Sequence, residues 1–271
     1  DAIAVKHNIT NEDVLISLAS PANRQGRQVA DVIKGIKRKN KGSLGTSIVR
    51  VFDYAFASTG LNEKQVRNLD YKYEVIHLTS NHHVSYFPGA KPITMKLVFN
   101  PETKRIYGAQ AFGEEGVDKR IDVIATAIKA NLEVDELIEL ELSYAPPFGA
   151  AKDIVNLLGY AAQNIIESYS EPLQWYELED MLEDGALLLD VRDGVAFDQA
   201  HIKGAKNIPL HFLRCRFHEL PYDKTIITSC ASGQLSYSAE RILKQSGFKV
   251  RNLDGGLRLY SQMYPDKIET K

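Results

Sequence analysis

Apolar positions recur along the chain in two rhythms. The first is helical. Val29, Ile33 and Ile36 fall at a 3.6-residue spacing, which predicts a helix opening at Pro21 and reaching about Arg38. Proline suits a helix start, where its missing N–H is no loss. Lys37-Arg38-Lys39-Asn40-Lys41-Gly42 would end it with charge that suits a helix C-terminus; the run reads as a solvated helix end rather than a phosphate site. Strand-like stretches follow at 46–56, 73–78, 93–99 and 106–111, with Asn100-Pro101-Glu102-Thr103 as a turn. Residues 117–130 return to helical spacing, with Ile121, Ile124 and Ile128 on one face. A shorter helix is expected at 134–140, and another at 153–167 after Pro146-Pro147. Strands followed by helices predict an α+β domain.

Past 168–172 the pattern alternates. Apolar strands are expected at 187–191, 206–209, 225–229 and 249–253, with helical stretches between them. This order predicts an α/β domain with a parallel sheet. Reactive groups in such sheets lie at the C-terminal strand ends.

Composition narrows the classes. The 271 residues suit about two domains, and 44% hydrophobic with 25% charged residues is ordinary for globular protein. A net charge of −2 gives no basic field for nucleic acid. No apolar run approaches the length of a membrane span, and no signal-peptide pattern opens the chain. Two cysteines make no disulfide scaffold, so a reducing, cytoplasmic compartment is the simplest expectation. The start at Asp1, in what reads as mid-domain sequence, suggests a fragment of something longer.

Cys230 is the most informative residue. In Ile226-Ile227-Thr228-Ser229-Cys230-Ala231-Ser232-Gly233-Gln234-Leu235-Ser236 a β-branched run ends in the thiol. A glycine-containing loop follows, then a helical pattern at Ala239, Ile242 and Leu243. Loop N–H groups and a helix N-terminus favour negative charge, hence the nucleophilic thiolate. A buried strand-end cysteine fits the same spacing. Cys215 has basic neighbours but no strand-loop-helix setting, and reads as structural.

After residue 172 come Leu189-Asp190-Val191-Arg192, Phe197, His201-Ile202-Lys203-Gly204-Ala205-Lys206-Asn207-Ile208-Pro209, Cys230 and Leu253-Asp254-Gly255-Gly256. In this order they resemble a rhodanese domain. The resemblance implies that Cys230 carries sulfane sulfur as a persulfide. It makes Ala231, Ser232, Gly233, Gln234, Leu235 and Ser236 the cradle for the S–S⁻ anion. Asp190 and Arg192 are expected to organise loops, and His201 to be a satisfied loop histidine. Three positions depart from the pattern. Leu235 stands where arginine is frequent, Ala196 where an acid is common and Ala200 where glycine is usual. Losing the arginine removes a charge that would help thiolate formation and anionic donor binding, so weak thiosulfate sulfurtransferase activity is expected.

The first 170 residues hold Gly35, Leu44-Gly45-Thr46, Ala57-Ser58-Thr59-Gly60-Leu61, Tyr86-Phe87-Pro88-Gly89, Gly116-Val117-Asp118-Lys119-Arg120-Ile121-Asp122 and Tyr144-Ala145-Pro146-Pro147-Phe148-Gly149. With these motifs they resemble the C-terminal part of a flavin-dependent pyridine nucleotide–disulfide oxidoreductase of the coenzyme A-disulfide or persulfide reductase type. The implied fold is an α+β dimerisation domain of flavin disulfide reductases followed by an α/β rhodanese domain with a parallel sheet. The implied domains are 1–42, a remnant of the FAD-binding domain; 43–170, the dimerisation domain; and 171–271, the rhodanese-like domain.

Site residues follow from the same resemblance. Asp1 would contact the ribityl chain of FAD. Pro21, Ala22 and Asn23 would open a helix onto the flavin ring, where a helix N-terminus favours the anionic reduced form; packing against a sheet is the plain alternative. Tyr86 and Tyr144 would lie near the redox cysteine of the other subunit of a homodimer, to hydrogen-bond or protonate a thiolate. Core packing is the alternative among thirteen tyrosines. His82 and His83, if on a strand, would point to opposite faces; no metal site is expected.

The implied activity is NADH- and FAD-dependent reduction of coenzyme A disulfide, coenzyme A persulfide or polysulfide, with Cys230 accepting or delivering sulfur. No Gly-x-Gly-x-x-Gly fingerprint and no cysteine before residue 215 occur, so the NADH site and redox cysteine would lie upstream, and the chain alone would be inactive as a reductase. Two alternatives remain at this level. One is an NADH oxidase that reduces oxygen. The other is a non-catalytic rhodanese-like binding or regulatory module. Neither nucleic acid nor membrane is an expected partner.

Overall fold

A computed structural model gives the structure of residues 1–270. Contacts divide the chain into two units. The first comprises Asp1–Val75 and Ser80–Tyr160; the second comprises Ile76–Thr79 and the chain from Ala161 on.

The first unit opens with a small antiparallel pair, β1 (Val5–Lys6) and β2 (Asp13–Val14), followed by helix α1 (Ala19–Ile33). The helix begins two residues before Pro21 and ends well short of Arg38. Gly35 is the reason for the early stop. It adopts φ +81°, its N–H bonds the Val32 carbonyl, and the Ile36 N–H bonds the Asp31 carbonyl. That is a Schellman ending, which glycine enters at no steric cost. The helical spacing of Val29, Val32 and Ile33 is present, yet all three side chains are exposed.

A five-stranded sheet follows, in the order β3-β4-β7-β6-β5. Its strands are β3 (Ser47–Val51), β4 (Tyr54–Gly60), β5 (Glu74–Asn81), β6 (Pro92–Phe99) and β7 (Ile106–Gly113), with α2 (Glu63–Asn68) between β4 and β5. The single strand expected over 46–56 is instead a hairpin. Val51 pairs with Tyr54 across a two-residue turn, and Phe52 takes φ +52°. Such turns usually use asparagine or glycine, so the sequence carries no breaker there.

Helix α3 (Val117–Ala130) forms as expected. It buries Val117, Ile121, Ile124, Ala127 and Ile128 and ends at Asn131 in the left-handed region. Residues Val134–Glu139 form a 3₁₀ turn rather than an α-helix. Helix α4 (Ile154–Ile166) follows the Pro146-Pro147 loop.

The second unit is built on a five-stranded sheet in the order β11-β9-β12-β13-β8, with all neighbours parallel. Its elements in chain order are β8 (Pro172–Leu173), α5 (Leu178–Glu183), β9 (Leu187–Asp190), α6 (Gly194–Gln199), β10 (His201–Ile202), β11 (Lys206–Asn207), α7 (Leu210–Arg216), β12 (Ile226–Ser229), α8 (Gln234–Gln245), β13 (Val250–Leu253), α9 (Gly256–Met263) and β14 (Ile268–Glu269). β10 and β14 form a separate antiparallel pair.

Neighbouring residues on each central strand join different core clusters. Leu189 and Ile226 pack with Leu213, Leu243 and Phe248. Leu188 and Ile227 pack with Leu173, Leu253 and Tyr260. A strand alternates its side chains between two faces, and a parallel sheet covered on both faces needs continuous apolar runs. That is why these strands read as runs and not as alternation. Each fully buried large aliphatic side chain contributes about 1.5–3 kcal/mol.

Candidate functional site

Cys230 follows directly on β12, at the C-terminal edge of the parallel sheet, and is buried. Gly233, at φ +100°, turns the chain into α8. Its N–H donates to Cys230 Sγ at 3.2 Å. Ser236 Oγ lies 3.3 Å from the same sulfur and 3.0 Å from the Gly233 carbonyl. The single hydroxyl proton serves one of these acceptors at a time. A sulfur anion is the better acceptor, so negative charge on the sulfur draws the proton to it. Of the six expected cradle residues, Gly233 and Ser236 bond the sulfur. Among the described residues, Ala231, Ser232, Gln234 and Leu235 do not. Leu235 is exposed.

The cradle leans on the start of α9. The Leu257 N–H donates to the Cys230 carbonyl at 2.8 Å and the Arg258 N–H to the Ala231 carbonyl at 3.0 Å. Gly256 permits this approach. A Cβ there would stand 2.6 Å from the Cys230 carbonyl oxygen, and φ is +58°. The loop carbonyls thus satisfy the free N–H groups of α9, and the loop is fixed from below. Two buried polar atoms near the sheet's C-terminal edge, Ser229 Oγ and Asn252 Oδ1, have no partner among the described residues.

Asp190 and Arg192 hold the neighbouring loop. The Arg192 guanidinium bonds both Asp190 oxygens, at 2.6–3.0 Å, and the Ala196 and Ala200 carbonyls. Both side chains are buried. Fully engaged in this way, the pair is an organiser. His201 stacks on Phe197 with ring centroids 3.8 Å apart and bonds the Phe197 carbonyl through Nδ1; it too is satisfied locally. Cys215 lies exposed on α7, and so does not pack in the core.

The first unit holds a second cluster. Tyr86 and Tyr144 are both exposed, which excludes core packing, and their hydroxyls are 3.2 Å apart. That shared hydrogen bond, and then burial, raise the Tyr144 phenol above the usual tyrosine value. It stays protonated, and a donor, at neutral pH.

Arg120 and Asp153 position both tyrosine loops, and sequence reasoning missed their pairing. Both are buried. Arg120 Nη2 bonds Asp153 Oδ2 at 2.7 Å and the His82 carbonyl at 2.6 Å. The Val84 N–H then donates to the Gly149 carbonyl, linking the Tyr86 loop to the Tyr144 loop. Arg120 lies in the Gly116–Asp122 motif but Asp153 lies in none of the motifs, so the sequence carries no local signal of the pair. His82 and His83 lie beyond the end of β5, and their rings meet at 4.2 Å. The opposite-face expectation assumed a strand and does not hold.

At α1, Pro21 is buried in the first turn, Asn23 donates to the Ala19 carbonyl, and the Leu18 N-cap offers no side-chain cap. No acid occupies the first turn. Leu18, Ser20, Pro21 and Arg24 line a cavity of about 760 Å³ together with Thr46 and Lys129. Burial, then the charges of Arg24 and of Lys41, lower the Lys129 pKa. Asp1 is exposed; its N-terminal ammonium bonds Gln25 Oε1 at 2.7 Å. An uncapped, acid-free helix start beside a cavity lined by Arg24, Lys129 and Asp122 fits an electron-rich ring edge or an anion.

Comparison with known proteins gives the two units a class. Residues 46–154 match the pyridine nucleotide-disulphide oxidoreductase dimerisation domain, and residues 174–263 match the rhodanese-like domain. The chain therefore joins a disulphide-oxidoreductase dimerisation domain to a rhodanese-like domain, as the fold also shows.

More particularly, it resembles part of coenzyme A disulfide reductases and of a persulfide reductase. The crystal structure of reduced Bacillus anthracis CoADR-RHD superposes with a TM-score of 0.96 at 50% identity, covering 99% of this chain and 48% of that one. An NAD-dependent persulfide reductase from A. fulgidus gives 0.87 at 34% identity, covering 95% and 46%. A coenzyme A disulfide reductase of Staphylococcus aureus is 41% identical over 149 residues, 55% of this chain and 34% of that protein. The chain spans about a third to a half of the length of these relatives. Among the described residues no helix is long and apolar enough to cross a membrane.

Proposed function

We propose that this chain is the C-terminal portion of an FAD- and NADH-dependent reductase of coenzyme A disulfide, coenzyme A persulfide or polysulfide, working as a homodimer in a reducing compartment such as the cytoplasm. The observation that carries this reading is the pairing of two thiol-handling sites in one chain. One is Cys230 Sγ between the Gly233 N–H and the Ser236 hydroxyl. The other is the exposed Tyr86–Tyr144 hydroxyl pair on the dimerisation domain. The likeness to proteins named coenzyme A disulfide reductase and persulfide reductase supports the same substrate class.

Residues 1–42 supply one edge of the flavin site, and the domains run 43–170 and 171–271. Pro21, Ala22 and Asn23 form the helix start that suits the ring edge, and Asp1 the ribityl contact. FAD, when bound, supplies electrons taken from NADH. The tyrosine pair faces the thiol chemistry of the partner subunit. There a neutral phenol donates a hydrogen bond to the thiolate that leaves when an S–S bond is cut. Overall, a persulfide RSS⁻, NADH and a proton give the thiolate RS⁻, hydrogen sulfide and NAD⁺. Cys230 carries sulfane sulfur to or from this reaction. Its thiolate attacks the outer sulfur of a donor, the donor S–S bond breaks, and the donor leaves with the bonding pair.

The test uses the complete FAD-loaded polypeptide. Under anaerobic conditions, coenzyme A persulfide is expected to drive NADH consumption. The Tyr86→Phe/Tyr144→Phe protein is expected to be slower by about 10²–10⁴-fold, the usual range for a lost general acid. NADH consumption only in air would overturn the reading in favour of an oxidase.

A further inference from the structure

The Cys230 cradle, residues 231–236, contains no cation; Leu235 stands exposed in the first turn of α8. Several other cations of the second unit are engaged. Arg192 is spent on Asp190 and two carbonyls. Arg251 bonds the Pro172 carbonyl and faces Glu177. Lys244 bridges Glu171 and Glu240, and Arg241 sits over the Tyr169 ring.

Arg258 differs from all of these. Its N–H is bonded to the carbonyl of Ala231, the residue directly after Cys230. Gly256 and the Leu257 N–H lock the same helix start against Cys230 itself. The position of Arg258 is therefore fixed relative to the sulfur. Its side chain is exposed, and among the described residues its guanidinium has neither hydrogen bond nor ion pair. A long, flexible arginine with a fixed root and a free head is suited to meet an incoming anion.

We propose that Arg258 is the specificity-determining cation of the Cys230 site, favouring sulfane-sulfur donors that are anionic. This rests on the reading that Cys230 is the sulfur carrier. With thiosulfate as donor, the Cys230 thiolate bonds the outer sulfur, the S–SO₃ bond breaks, and sulfite departs with the electron pair. Charge is conserved, three negative charges on each side. Arg258 offsets the repulsion between the thiolate and the dianion as they approach. It replaces, from α9, the charge that the cradle lacks at Leu235.

The test compares charged and neutral reagents on the same sulfur. The whole chain is treated separately with iodoacetate, iodoacetamide and thiosulfate, and modification of Cys230 is followed by peptide mass spectrometry, which separates it from Cys215. The readout is the ratio of the iodoacetate rate to the iodoacetamide rate. Arg258→Gln is expected to lower that ratio about fivefold at low salt, the size of one charge contact in water, with thiosulfate loading falling in parallel. Arg258→Lys should keep most of the ratio, and high salt should abolish the difference between the wild-type chain and Arg258→Gln. A purely structural role would lower both rates together and leave the ratio fixed, which would overturn the proposal. Failure of the unaltered chain to take sulfur from any donor, with the ratio still sensitive to Arg258, would instead overturn the carrier reading.

Discussion

Glu240 illustrates how far a single buried residue can shape this molecule. It is fully buried on α8. It accepts hydrogen bonds from the Ser170 hydroxyl, the Glu171 N–H and Lys244. Burial nevertheless outweighs these partners and raises its pKa. The native state then holds its proton to higher pH than the unfolded chain does. Between the ordinary glutamate pKa, about 4.3, and the raised native value, this group makes stability fall as pH rises, by at most about 1.4 kcal/mol per pH unit. The difference in unfolding free energy between the wild-type chain and Glu240→Gln, measured against pH, is expected to show that slope; a constant difference would contradict it.

Cys230 was legible in the sequence at this scale, because the β-branched run, thiol, glycine and helix pattern are all local. The hydrogen-bond geometry was not. Which cradle residues bond the sulfur depends on φ +100° at Gly233 and on the contact with Gly256, residues distant in sequence.

At the scale of elements, the Arg120–Asp153 pair is the joint on which the tyrosine loops turn. Arg120 comes from α3 and Asp153 from the residue before α4, so the pair ties two helices to the loop after β5. Asp153 also accepts the Val155 N–H, and its own N–H reaches Asn156. Asp153→Asn leaves the Arg120 charge buried without its counter-ion. A loss of about 3–5 kcal/mol is expected, read as a lower denaturant midpoint with an unchanged slope. A loss below about 1 kcal/mol would show that the pair does not hold the loops.

Element types were mostly readable from periodicity, and element ends were not. The α3 span and the parallel strands of the second unit emerged from apolar spacing alone. The hairpin inside 46–56 did not, because Phe52-Asp53 carries no turn signal and its left-handed residue is aromatic. Gly35 did announce the end of α1, and the apolar Ile36 beyond it obscured that signal. The pairing of Arg120 with Asp153 joins residues 33 apart, which no local pattern contains.

For the whole molecule, the exposed apolar surface argues for partners. Val29, Val32 and Ile33 on α1, and Ile48, Val49, Val51, Phe52 and Phe56 on the β3–β4 hairpin, are open to solvent. Clusters of exposed apolar side chains mark interaction sites. They agree with the proposed homodimer. The two proposed thiol-handling sites stand on separate units, and neither fold alone announces a function.

The most direct test of the account is the fate of sulfur on Cys230. The chain is incubated anaerobically with coenzyme A persulfide, trapped with an alkylating agent and digested. Peptide mass spectrometry is expected to find one additional sulfur atom on Cys230, absent from Cys215 and lost in Cys230→Ser. An unmodified Cys230 peptide under conditions that fully load a free thiol would contradict the account.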